Sequence, residues 1–350
     1  MSGTRDVRST NTENKRIPYI DIAKTLGIIL VIVGHVVSSD TEIKKVIYSF
    51  HMPLFFMLSG MLVKVKKQYN ALTRRNLIEK KFKSLMIPYV IWALIYASFS
   101  IKHLLFVLYG TRETLIKAES LSSLWFLPVM FIAFMIVELV LQISIRGKKG
   151  NAIGIGIVGC FLIGMLFPHY AVLGDLWGID IAFIAAAFML IGMVIKQIVE
   201  AFSNTSRLIF ATIILSVIFL VAVRFSNSSV GYVLMANAIY GNPVAFLINS
   251  VVGSTLIIII SYLLAVCMHR MDVFSWIGAR TLGIFVIHKP VVEFCRMAAT
   301  RLGVSYDNLA VVVCITFVTL VVSGMIVIVV ERAMPEMIGL KTHRKEEGHE

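Results

Sequence analysis

Residues 21–35 read D-I-A-K-T-L-G-I-I-L-V-I-V-G-H, an apolar stretch of helical length that carries three ionisable side chains, Asp21, Lys24 and His35. On a helix of 3.6 residues per turn, Lys24 and His35 differ by only about 20° around the axis, and Asp21 lies about 60° from Lys24. All three therefore share one face. That face cannot look at lipid, because a charge near the bilayer centre costs at least about 2.5–3.5 kcal/mol. It must border a protein interior or a polar cavity, which the rest of the chain has to supply.

Composition fits such an enclosure. Hydrophobic residues make up 58% of the 350, charged residues 15%, and mean hydropathy is +0.86. Apolar runs of about 20 residues recur along the chain, so the expected fold is an all-α integral membrane protein, a polytopic bundle. The alternating segments of a β-barrel are absent. Cys160, Cys267, Cys295 and Cys314 fall in apolar runs without paired spacing, which points to neither a disulfide framework nor a zinc site. No metal is expected.

Hydropathy gives about ten transmembrane helices, at 17–38, 43–63, 84–107, 122–145, 151–167, 178–196, 207–224, 244–267, 277–299 and 308–330. A polar leader (1–16) precedes this membrane domain (17–332), and a charged tail (333–350) follows it. With both ends cytoplasmic (N-in and C-in), 22 of the 33 Lys and Arg residues fall on the inner side and eight on the outer side. That bias is the positive-inside pattern. It also accounts for most of the net charge of +13, with anionic lipids as adequate partners for the inner basic belt. Because the basic residues adjoin membrane spans, nucleic acid is not an expected partner. Small-residue pairs such as Gly154 and Gly156 serve packing within or between chains, so oligomeric state is not legible.

Depth along the first span follows from a rise of 1.5 Å per residue: Lys24 lies about 10 Å and His35 about 27 Å from the inner end. The two are about 16 Å apart and cannot touch on a straight helix. The counter-charge of Lys24 is either Asp21 or Glu138, which lies at comparable depth in the fourth span. The second span opens F-H-M-P-L-F-F-M-L-S-G, where Pro53 starts or kinks a helix and Ser59 and Gly60 allow close approach of a neighbour. His51 in that stretch is an interfacial histidine, a class more often structural than functional. The third span is introduced by K-K-F-K-S-L-M-I-P-Y, which sets Lys81 and Lys83 at the inner surface, and Trp125 opens the fourth at the outer interface. In the ninth span His288 falls near the midplane, beside Lys289 and Pro290; Lys289 and Glu293 are spaced to pair with each other.

Taken together, I-D-x-x-K with G-H eleven residues after the lysine, F-H-M-P-L-F-F-x-L-S-G, the basic segment before I-P-Y, W-F-L-P and I-G-x-x-T-L-G-I-F-V-I-H resemble the acyltransferase 3 family. The likeness is closest to bacterial membrane O-acetyltransferases of the fucose 4-O-acetylase-like branch, and it runs from about residue 16 to 332. The resemblance implies about ten spans in the bacterial cytoplasmic membrane. It also implies transfer of an acetyl (acyl) group, usually from acetyl-CoA, to a hydroxyl of an extracytoplasmic or lipid-linked glycan acceptor.

The family's basic-residue-x10-histidine motif falls on Lys24 and His35, which are the catalytic residues the resemblance implies. Many relatives carry arginine at the first position; here a point charge replaces that bidentate grip. In the expected mechanism His35 acts as general base or transient acyl carrier. Lys24, with Lys81 and Lys83 at the inner surface, holds acyl-CoA, and Asp21 orients Lys24. His51, Ser59, Trp125, Glu138 and His288 are expected to support the site. A glycolipid or polysaccharide transporter would also bury charges in its helices, but it should show repeated halves, and none are visible. A non-catalytic sensor or assembly partner would tolerate loss of His35.

Overall fold

The computed structural model describes residues 16–65, 71–97, 123–147, 151–166, 176–201, 205–225, 231–267, 272–306 and 308–340. The leader up to residue 15, the second half of the third candidate span and residues 341–350 lie outside the described residues. Every regular element described is helical. In order these are α1 (Pro18–Val36), α2 (Glu42–Tyr48), α3 (His51–Met61), α4 (Ala71–Lys81), α5 (Ile87–Tyr96), α6 (Phe126–Gly147), α7 (Ala152–Leu166), α8 (Ile179–Ala201), α9 (Thr205–Val223), α10 (Pro243–Cys267), α11 (Asp272–Ala279), α12 (Thr281–Arg301) and α13 (Leu309–Ala333). A π-helical turn, Phe82–Met86, joins α4 to α5.

Among the described residues, six segments are long and apolar enough to cross a membrane: α1, α6, α8, α9, α10 and α13. The protein is thus an all-α, multi-pass membrane protein. The apolar helix α7 is shorter, and α12 matches a span in length but carries Lys289, Glu293 and Arg296 along it. Outward faces of α9 and α13 stay apolar, with Phe210, Leu220, Phe317 and Val329 all exposed. Helices that are apolar all round belong in lipid or a core.

At the centre lies α3, buried on nearly every side and packed along α8. Glycines set that contact. A Cβ on Gly60 would overlap the carbonyl oxygen of Met189, and one on Gly192 would overlap that of Met57. The two backbones touch twice, the close approach that small residues permit inside membranes. Lys196 then closes the α3 terminus by donating to the Met61 carbonyl at 3.0 Å.

The second candidate span, expected as one helix over 43–63, is two helices broken at Ser49 and Phe50. Backbone groups released by a break inside a bilayer must find partners in the protein. Here α10 provides them: Ser250 donates to the Ser49 carbonyl at 3.1 Å and Ser254 to that of Phe50 at 3.4 Å. Pro53 sits in the first turn of α3, where its missing N–H has no intrahelical acceptor anyway. The ninth candidate span is similarly divided at Arg280, between α11 and α12. Within α12, Pro290 cannot donate to the Val286 carbonyl, and the Tyr96 hydroxyl of α5 donates to it instead.

After α13, the 3₁₀ turn Pro335–Ile338 folds back against α5, where the Trp92 indole donates to the Met337 carbonyl at 2.8 Å. The first part of the expected tail is therefore packed.

Candidate active site

Helix α1 is unbroken from Pro18 to Val36 and is buried among α3, α10, α11, α12 and α13. A proline at its first position and an extended Ile17 before it define where it starts. Its position against α11 is fixed at Asp21, where a Cβ on Gly278 would strike the Asp21 carbonyl oxygen. One turn on, the Thr25 hydroxyl donates to the Phe274 carbonyl at 2.6 Å.

The ionisable face of α1 opens into two cavities. The first, of about 250 Å³, is lined by Lys24 with Ser59, Lys81, Ser84, Phe126 and Thr281. Lys24 lies 3.7 Å from Asp21, which settles the alternative between Asp21 and Glu138 as its counter-charge in favour of Asp21. The other Asp21 oxygen is buried without a hydrogen-bond partner. Lys81 ends α4 ahead of the π turn, and its ammonium sits 3.3 Å from the centre of the Phe134 ring. Burial, then the neighbouring Lys80, push its pKa down to about 8, with Glu138 opposing them. Glu138 thus acts on Lys81. Lys83 is exposed, outside this lining, and pairs with Glu79 at 2.6 Å; the ammonium holds the Glu79 carboxyl below its ordinary pKa. π turns recur at functional sites because they re-aim the side chains around them.

The second cavity, of about 300 Å³, is lined by His35 with Tyr48, His51, Ser123, Trp125 and Lys289. The break before α3 shapes it. His51 donates from Nδ1 to the Ile47 carbonyl at 2.9 Å, and its ring lies 4.7 Å from that of Tyr48. Ser123 carries a buried hydroxyl with no hydrogen-bond partner. A turn closed by the paired Leu234 and Ile239 supplies Asn237 to the rim, with Ala238 in the left-handed region at φ 54°. His288 stands beside this cavity, its ring centre 5.2 Å from that of His35. Phe285 lines both cavities.

Lys24, Lys81 and Ser59 are therefore brought together at one end, and His35, His51 and Trp125 at the other, with His288 adjoining. Tyr48, Ser123, Phe285 and Lys289 complete the walls, and sequence reasoning gave none of them a role there. Among the described residues no three His, Cys, Asp or Glu side chains converge in the manner of a metal centre.

Nodulation protein NolL of Mesorhizobium japonicum is 27% identical over 142 residues, which cover 36% of this chain. The chain spans 36% of that relative's length. No solved structure matches the chain. The model of the acyltransferase domain (Acyl_transf_3) matches residues 17–328, which include both cavities entirely. The chain belongs to the acyltransferase 3 family.

Proposed function

We propose that the protein moves an acetyl or other acyl group from cytoplasmic acyl-CoA to a hydroxyl of an extracytoplasmic or lipid-linked glycan in the bacterial cytoplasmic membrane. One observation carries this reading: Lys24 and His35 lie on one face of one helix, but in two cavities that share the Phe285 wall. Under the positive-inside orientation the Lys24 cavity faces the cytoplasm and the His35 cavity faces out. The basic helix α4, with Arg74, Arg75 and Lys80, adjoins the Lys24 cavity through Lys81, a setting suited to the phosphates of a CoA. From there the pantetheine arm runs along α1, over the separation of about 16 Å, toward His35. The aromatic and polar wall of the outer cavity, with Trp125, Tyr48 and Ser123, suits a sugar, which offers both apolar faces and hydroxyls.

In the transfer, His35 removes the proton of the acceptor hydroxyl as its oxygen bonds to the thioester carbon. The tetrahedral intermediate then collapses with breakage of the C–S bond, and the His35 imidazolium returns the proton to the departing thiolate. Lys289, in the wall of the same cavity, supplies positive charge for the oxyanion. A transient acyl group on His35 would divide the same chemistry into two steps.

Inverted membrane vesicles supplied with acetyl-CoA labelled in its acetyl group test the proposal. Label is expected in glycan with the wild type and absent with His35→Ala at matched expression. Equal transfer in vesicles lacking the protein would refute it.

A further inference from the structure

We infer that His288 is a positioning residue for acyl transfer: once the His35 ring turns toward it, its Nε2 accepts a hydrogen bond from His35 and so fixes which His35 nitrogen faces the acceptor hydroxyl. The role depends on His35 acting as the base, as proposed above.

The chemistry of His288 follows from its bond to the backbone of its own helix. It is fully buried on α12, and Nδ1 lies 2.6 Å from the Phe285 carbonyl oxygen. A carbonyl only accepts, so the hydrogen is on Nδ1, and the neutral ring presents a lone pair at Nε2. That Nε2 is buried and has no hydrogen-bond partner in the folded chain. Leaving such a group unpaired is costly, so each instance in a native fold calls for a use.

The His35 ring lies beside that of His288, at 5.2 Å between ring centres and with the planes tilted by 49°. The backbone of His35 is held as well, since Arg296 donates to its carbonyl at 3.5 Å, while the guanidinium rests 4.5 Å from the Tyr306 ring centre. What stays adjustable is the His35 ring. Rotation that sets one ring N–H on the lone pair of His288 leaves the opposite nitrogen as the base, directed to the cavity. A carboxylate does this for histidine in many hydrolytic triads. Here a neutral imidazole braced by a backbone carbonyl would do the same without placing another charge in the membrane.

Proton accounting is unaffected. The acceptor's proton moves to His35, strengthens the N–H donated to His288, and leaves with the thiolate. His288 keeps its own proton on Nδ1 throughout. Because His288 is not among the residues lining the cavity, it acts through His35 and does not touch the acceptor.

The test compares wild type, His288→Phe, His288→Gln and His35→Ala in membrane vesicles, with labelled acetyl-CoA as the probe. Initial rates are taken from pH 5 to 9, and folding is checked by monodisperse elution in detergent. Phenylalanine keeps the ring's bulk without an acceptor, so kcat should fall about 100-fold with an unchanged KM for acetyl-CoA and a displaced pH profile. Glutamine can donate to the Phe285 carbonyl and accept from His35, and should restore kcat to within about tenfold of wild type. A His288→Phe protein with wild-type kcat and pH profile overturns the inference, as does glutamine performing no better than phenylalanine. Should His35→Ala itself retain full transfer, the underlying assignment of His35 fails, and the inference fails with it. Inactive His35→Ala beside fully active His288→Phe removes the positioning role alone.

Discussion

Lys24 and His35 share a face of one unbroken helix, yet each opens into its own cavity, and Phe285 stands in the wall of both. The Phe285 ring packs 5.1 Å from Phe126 and 5.6 Å from His288, measured between ring centres. On the proposed route, a thioester entering from the Lys24 end passes that ring to meet an acceptor at His35. Phe285→Ala should join the two cavities and raise hydrolysis of acetyl-CoA in the absence of acceptor by several-fold. Phe285→Trp should lower transfer while leaving donor affinity near the wild-type value. Release of free CoA, followed by thiol titration, reads both.

Lys81 gives the donor end a dependence on pH. With a pKa pushed down to about 8 by burial and by Lys80, its ammonium is charged below that pH and loses the charge above it. The KM for acyl-CoA should therefore rise as pH increases through about 8. In Lys81→Arg, where the cation persists to far higher pH, the rise should vanish. An identical KM profile in both proteins would count against Lys81 as a phosphate contact.

The contact of α3 with α8 leaves no room for side chains at its two glycines. Gly192→Val should drive its methyl groups into the Met57 carbonyl and cost about 3 kcal/mol or more by overpacking. Thermal unfolding in detergent should show a large fall in Tm. Substitution at Gly154, where no atom lies within 4 Å of the added Cβ, should leave Tm unchanged.

Tyr96 and Pro290 form a compensating pair. Tyr96→Phe removes the donor to the Val286 carbonyl and should cost about 1–3 kcal/mol. Pro290→Ala restores a backbone N–H to α12, so the double variant should recover part of that loss. Additive losses in a double-mutant cycle would contradict the pairing.

Much of the candidate site was legible because ionisable residues inside apolar runs are costly and therefore conspicuous. The spacing of Lys24 and His35 on one face, and their failure to meet, follow from helix geometry alone. The break at Ser49–Phe50 was not legible, because hydropathy runs continuously through I-Y-S-F-H-M-P. The groups that stabilise it, Ser250 and Ser254, lie some two hundred positions later. Tyr96 was hidden for a similar reason: its hydroxyl answers a carbonyl freed by a proline in another helix. Phe285 gave no signal, since an aromatic residue in a membrane helix is ordinary, and only the fold puts it between two cavities. Lys289, spaced to pair with Glu293, also stands in the wall around His35, a place that only the packing of α12 against α1 gives it.

The most direct measurement separates donor binding from transfer in purified protein. Binding of acetyl-CoA by titration calorimetry and transfer of its labelled acetyl group to glycan would be followed in wild type, Lys24→Ala and His35→Ala. The division of labour along α1 predicts that Lys24→Ala weakens binding at least about tenfold, the loss of one charge-assisted contact. It also predicts that His35→Ala binds acetyl-CoA as the wild type does and transfers none of it. Transfer by His35→Ala at the wild-type rate, or unchanged binding by Lys24→Ala, would contradict the account.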